Sequence, residues 1–109
     1  MIRGFLLTLT DANTNYNLWS LAVAIEPTLR TNFTQINLQP DPANSALVRI
    51  GDEALSGTRY GLSLGTVTSP AADIPIVLRS GSGAADVSLN TLYARSASAG
   101  QKVSVLLEL

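Results

Sequence analysis

The residues able to do chemistry are few and scattered. Asp52 and Glu53 form the densest acidic pair, and with Asp41 or Asp73 they offer oxygens of the kind calcium takes. Their spacing is not that of an EF-hand, so a solvated acidic loop is the plainer reading. Glycoside cleavage needs two carboxylates facing each other across a cleft. Eight acids supply pairs such as Asp52 with Asp86, yet nothing in the sequence selects one. Gly81-Ser82-Gly83 opens like a dinucleotide fingerprint, but Asp86 stands where the third glycine belongs and no strand–helix alternation surrounds it. It reads as a loop. Gly51 to Gly57 lacks the lysine of a phosphate loop. The chain has no cysteine and no histidine. Their absence excludes disulfide frameworks, thiolate nucleophiles, Ser-His-Asp and Cys-His triads and nearly all zinc sites. The expectation is a protein that is not an enzyme, with no cofactor and no metal.

Binding chemistry is better represented. Tyr16, Trp19, Tyr60 and Tyr93 are the rings that would stack on a sugar. Trp19 follows Leu18 in an amphipathic segment and Tyr93 follows Leu92 in a strand, so both are expected at the core. Tyr60, between Arg59 and Gly61 in a loop, is the best exposed candidate, and tyrosine is enriched at interfaces. Charged residues make up 14% of the chain and the net charge is −1, against about a quarter charged in an ordinary domain. The bases Arg3, Arg30, Arg49, Arg59, Arg79, Arg95 and Lys102 are spread along the chain. A nucleic-acid or membrane patch needs several within one stretch, so neither partner is expected. The preference for arginine fits carboxylate contacts at protein surfaces, and it fits a GC-rich genome equally well. Serine, threonine and asparagine number 11, 10 and 7. Such uncharged polar groups lose less on desolvation than charges do.

These side chains must be positioned by strands. Residues 3–10 alternate, with Phe5, Leu7 and Leu9 on one face and Leu6, Thr8 and Thr10 on the other. Leu18, Leu21, Ala22 and Ile25 follow helical spacing, which predicts one short helix over 17–26, capped by Asn17 and ended by Pro27; the alternation of Leu18, Ser20 and Ala22 would allow a strand instead. From Thr31 to Gln39 the alternation returns, with Phe33, Gln35, Asn37 and Gln39 on one side and Thr34, Ile36 and Leu38 on the other. Further strands are expected around Ala46–Ile50, Leu62–Leu64, Ile74–Leu78 (at an edge, because of Pro75), in pieces over 87–94, and over Lys102–Leu109. In the last, Val103, Val105 and Leu107 oppose Ser104, Leu106 and Glu108. Gly100 suits a left-handed turn position. Seven to eight short strands at such spacing predict a mainly β fold, a jelly-roll-like antiparallel sandwich. The final strand is expected at an edge.

At 109 residues, one domain spanning 1–109 is expected, with roughly 5,800 Å² of folded surface. No apolar run is long enough for a signal h-region or a membrane span, which points to a chain made in the cytoplasm or assembled into a particle there.

Two stretches carry a resemblance. One is Val48-Arg49-Ile50-Gly51-Asp52 followed by Leu55-Ser56-Gly57-Thr58-Arg59-Tyr60-Gly61-Leu62. The other is Leu92-Tyr93-Ala94, then Ser98-Ala99-Gly100-Gln101-Lys102-Val103-Ser104-Val105. Over residues 33–109 the chain resembles small virion proteins of tailed bacteriophages, and among them the capsid decoration (cement or staple) proteins of short-tailed phages. The resemblance implies a β-rich homo-oligomer, a dimer or trimer, on the virion surface, bound to the major capsid protein and stabilising its shell. The alternative is a small tail- or fibre-associated module that binds a receptor or carbohydrate. By edge position and residue type, the expected partner-binding residues are Arg3, Phe5, Arg59, Tyr60, Val105, Leu107 and Leu109.

Overall fold

Strand pairing follows one rule, applied from the two ends of the chain inward. The computed structural model describes residues 2–56, 58–64, 76–81 and 87–108. In it β1 (Ile2–Leu9) pairs with β10 (Gln101–Glu108), β2 (Tyr16–Asn17) with β9 (Tyr93–Ser96), and β3 (Asn32–Phe33) with β8 (Val87–Ser88). Next, β4 (Gln35–Pro40) pairs with β7 (Ile76–Arg79) and β5 (Val48–Gly51) with β6 (Leu62–Leu64). The chain is thus one long antiparallel hairpin. Rolling it up adds two pairings, β10 with β4 and β9 with β5. The products are sheet A, in the order β1-β10-β4-β7, and sheet B, in the order β2-β9-β5-β6. This is the jelly-roll arrangement expected from the strand spacing.

Two expectations change here. Rolling buries β10 between β1 and β4, so the last strand is central and not at an edge. The edges of sheet A are β1 and β7, and Pro75 itself lies outside the described residues. The alternation through 31–39 also breaks. Phe33 is buried together with Ile36 and Leu38, although the unbroken pattern placed it opposite them. The break is at Thr34, where the chain leaves the β3–β8 ribbon for sheet A. Its amide and Oγ1 both donate to Glu108 O, at 2.9 Å each, and its carbonyl accepts from the Ser80 amide at 2.8 Å.

The helix α1 spans Leu18–Val23, shorter than the predicted 17–26. Asn17 caps it as expected, its Oδ1 accepting from the Ser20 amide at 3.0 Å. The amides of Ile25 and Glu26 both donate to Ala22 O, forming a closing turn that runs up to the residue before Pro27. Ile25 is 59% exposed, so the apolar stripe ends one turn early. The chain instead descends to bury Leu29, while Glu26 Oε1 accepts from Arg3 Nε at 3.2 Å. No helix of the described residues is long and apolar enough to cross a membrane.

The core lies between the sheets. Leu7, Leu9, Ile36, Leu38, Val103, Val105 and Leu107 of sheet A meet Val48, Ile50, Leu64 and Ala94 of sheet B. Leu18 and Ala22 of α1, with Leu29, Phe33 and Leu89, belong to the same cluster. Two buried amides hold the turn after β4 against β10. Asn44 Oδ1 accepts from the Lys102 amide and its Nδ2 donates to Lys102 O, both at 2.8 Å. Gln101 Oε1 accepts from the amides of Ser45 and Ala46, and its Nε2 donates to Ser45 Oγ and Ala99 O. At the turn before β10, Gly100 has φ +78°, the left-handed position assigned to it from sequence.

Candidate functional site

Each sheet has one face in the core and one in solvent, so the outward residues of sheets A and B are the surfaces available to a partner. On sheet A the outward set is Ile2, Gly4, Leu6 and Thr8 of β1, Lys102, Ser104, Leu106 and Glu108 of β10, Gln35, Asn37 and Gln39 of β4, and Val77 and Arg79 of β7. Register aligns Gly4, Leu106, Asn37 and Val77 in one row and Leu6, Ser104 and Gln39 in the next. Neither row carries a charge. Glu108 and Arg79 stand in the row of Ile2, and Lys102 stands opposite Thr8. Ile2, Leu6, Val77 and Leu106 are 60%, 48%, 45% and 43% exposed. Leu106 lies over Gly4, where an added Cβ would meet its Cδ1 at 3.7 Å. A shallow depression of about 310 Å³ runs along Gln35, Asn37, Gln39, Val77, Ser104 and Leu106. Exposed aliphatic side chains gathered on one face mark interaction surfaces, and amides and hydroxyls around them desolvate more cheaply than charges.

The outward face of sheet B is different. Arg49 of β5 stands directly opposite Arg95 of β9, with Ser63 of β6 on the other side of Arg49. The Arg49 guanidinium lies over the Tyr60 ring, 4.3 Å from its centroid. Arg95 Nη1 donates to Asn15 Oδ1 at 3.3 Å, and Asn15 Nδ2 donates to Leu55 O at 2.8 Å. Beyond them, in the loop joining β5 to β6, Arg59 Nη2 pairs with Asp52 Oδ2 at 3.0 Å. The Ala54 amide donating to Asp52 Oδ1, followed by the Arg59 contact, holds the Asp52 carboxyl below its ordinary value.

The expected partner residues fall in different places. Arg3 is exposed and ion-paired to Glu26, while Phe5 is half-buried against the core. Arg59 and Tyr60 are exposed and neighbours in the β5–β6 loop. Val105 and Leu107 require correction, because both are 1% exposed and packed between the sheets. The outward partners from β10 are Ser104, Leu106 and Glu108. Alternation had separated these two sets; only the sheet packing decides which one faces inward. Leu109 lies outside the described residues.

Of the four rings, Tyr93 is the register partner of Gly51, and a depression containing Gly51 is lined by Tyr60, so these two border the same residue. The other two are engaged elsewhere. The Tyr16 hydroxyl donates to Asp11 Oδ2, accepts from the Asp11 amide and is 2.8 Å from Thr10 Oγ1. Trp19 Nε1 donates to Arg30 O at 3.2 Å. Among the described residues no three acids gather to hold a cation. Asp73, Asp86 and most of the Gly81–Gly83 motif lie outside them. Reasoning from sequence missed the juxtaposition of Arg49 with Arg95; its only signal was that each occupies a polar position between inward-facing residues of a strand.

No protein-family model matches the chain, and neither a curated protein nor a solved structure matches it.

Proposed function

We propose that this chain is a structural binding domain without catalytic activity, acting as a capsid decoration protein that docks the outward face of sheet A on a shell of major capsid protein. The supporting observation is that face itself, with four exposed aliphatic side chains and two adjoining central rows free of charge. Four strands about 4.8 Å apart and several residues long give a footprint of roughly 400 Å². That is about half of what one partner contributes to a standard interface, roughly 800 Å². One such contact is weak. A dimer or trimer, repeated over a symmetric shell, multiplies it, and a protein that binds the assembled shell but not its free subunits stabilises the shell by mass action. The jelly roll is consistent with this role by analogy, being used in viral capsids as well as in lectins and cupins.

The test is quantitative mass spectrometry of virions made by the encoding genome, comparing this chain with the major shell protein. The expected ratio is near one or a simple fraction such as one half. Leu106→Asp should lower that occupancy. A handful of copies per particle would replace this reading with the tail- or fibre-associated receptor module, and absence from the particle would overturn both.

A further inference from the structure

We infer that β1 is a pairing edge for a second copy of this chain, joining the four-stranded A sheets of two copies into one continuous antiparallel sheet. The pairing is argued from β1 alone; its consequence for shell docking rests on the reading above. The ladder decides which backbone groups β1 presents. The Lys102 amide and carbonyl are both taken on the β4 side, by Asn44 and the Asp41 amide, and Glu108 O accepts from the Thr34 amide. Even-numbered residues of β10 therefore bond towards β4, and odd-numbered ones towards β1. The register pairs odd with odd, so Arg3, Phe5, Leu7 and Leu9 bond to β10. Ile2, Gly4, Leu6 and Thr8 turn their amides and carbonyls away from the sheet. Among the described residues, the one hydrogen bond on that edge runs from Arg3 Nη1 to Ile2 O, at 3.2 Å.

Sheet edges are ordinarily blunted by short strands, charge, proline, a bulge or a covering element. The edge strands β2, β6 and β7 are two, three and four residues long. β1 is eight residues long, and its register runs unbroken from Ile2 with Glu108 to Leu9 with Gln101. It holds no proline and no lysine, and its one charge, Arg3, is ion-paired to Glu26. α1 lies on the core side, where Leu18 and Ala22 join the cluster beneath the sheet. Ile2, Gly4 and Leu6 are exposed. The strand is also complementary to itself. Two copies related by a two-fold axis at Phe5 set Leu6 of each beside Gly4 of the other, Ile2 beside Thr8 and Arg3 beside Leu7. Leu6 then fills the space over Gly4 from one side as Leu106 does from the other, and no like charges meet. The even-numbered residues supply about eight backbone hydrogen bonds. Such an isologous contact closes at two copies, which selects the dimer over the trimer. Both outward faces then lie on one side, and the docking surface doubles to about 800 Å², the share of one partner in a standard interface.

The experiment is sedimentation equilibrium of the intact chain from micromolar to submillimolar concentration, with NMR of the same samples. A reversible monomer–dimer equilibrium without trimer is expected. Leu6→Pro removes an amide that points away from β10, so the ladder survives, and dimerisation should weaken by about tenfold or more with the circular dichroism of the parent. Leu6→Lys keeps the amide, places a charge on the edge and should weaken dimerisation as well. Val77→Asp, on the far edge of the sheet, should dimerise like the parent. The register has its own signature. Arg3 and Leu7 lie about 13 Å apart along one extended strand, so an NOE between their Hα atoms arises only between copies. A chain monomeric throughout, which would leave the edge to an extended segment of another protein, overturns the inference. So does a trimer, or a dimer that lacks this NOE and is unchanged in both Leu6 variants. Virion occupancy separates the two readings. A dimer absent from particles keeps this inference and overturns shell docking, whereas a monomer abundant on the shell does the reverse.

Discussion

Asn44→Ala tests how the turn after β4 is held to the sheet. Pro40 ends the register of β4 against β10, opposite Val103. Lys102, one residue further, is satisfied by the Asn44 side chain, whose carboxamide takes the place of a strand peptide. The site is 4% exposed, so water does not enter freely. Truncation removes two hydrogen bonds of 2.8 Å. At about 1 kcal/mol net for each, and about another 1 for stranding the Lys102 amide, the loss is about 2–4 kcal/mol. The Lys102 carbonyl keeps one donor, the Asp41 amide at 3.3 Å, which is why the larger figure is the upper end. For a chain of this size, such a loss lowers the melting temperature by about 10–20 °C. The assay is thermal and urea unfolding followed by circular dichroism, with the urea slope unchanged if only the native state is affected. Ser45→Ala is the internal control. It removes only the 3.2 Å contact of an exposed hydroxyl with Gln101 Nε2 and should cost less than about 0.5 kcal/mol. A loss in Asn44→Ala as small as in the control would refute the reasoning and mean that water replaces the carboxamide.

Other outcomes follow from the same geometry. Val105→Asp should leave the chain unfolded at 25 °C, because it places an unpaired charge between the sheets, whereas Leu106→Asp should stay within about 1 kcal/mol of the parent in denaturant unfolding. Equal effects would mean that the faces of β10 are assigned the wrong way round. Gly100→Ala, at φ +78°, should cost about 1–2 kcal/mol, while Gly81→Ala, with open space around its Cβ, should be near neutral in the same melts. The Asp52 carboxyl, followed by NMR, should titrate below the ordinary 3.8. Its native value is depressed, so its stabilising contribution is present above 3.8 and lost as pH falls through the native midpoint. Arg59→Gln should raise that midpoint only part of the way, since the Ala54 amide is the larger cause; a full return to 3.8 would contradict that order.

Strand positions and their two-sidedness were legible because alternation is a local property. Each residue's face depends only on its neighbours along the chain. Hence β6 over Leu62–Leu64, the opposed sets Val103, Val105, Leu107 and Ser104, Leu106, Glu108, the Asn17 cap and the left-handed Gly100 could all be read before any fold was known. The mainly β, jelly-roll-like class followed from the count and spacing of those strands.

What the tertiary structure alone decided are the relations between distant segments. Rolling the hairpin placed β10 in the centre of sheet A, and so determined that Val105 faces the core and Leu106 faces solvent. The transfer of the chain between ribbons at Thr34 reversed the phase that carried Phe33 inward. The same rolling set Leu106 between Gly4 and Asn37, with Val77 one strand beyond, and Arg49 across from Arg95, bringing together residues that look scattered in sequence. The physical reason is that period-two patterning says which residues share a face, while which strand lies alongside which is settled by burying two such faces against each other.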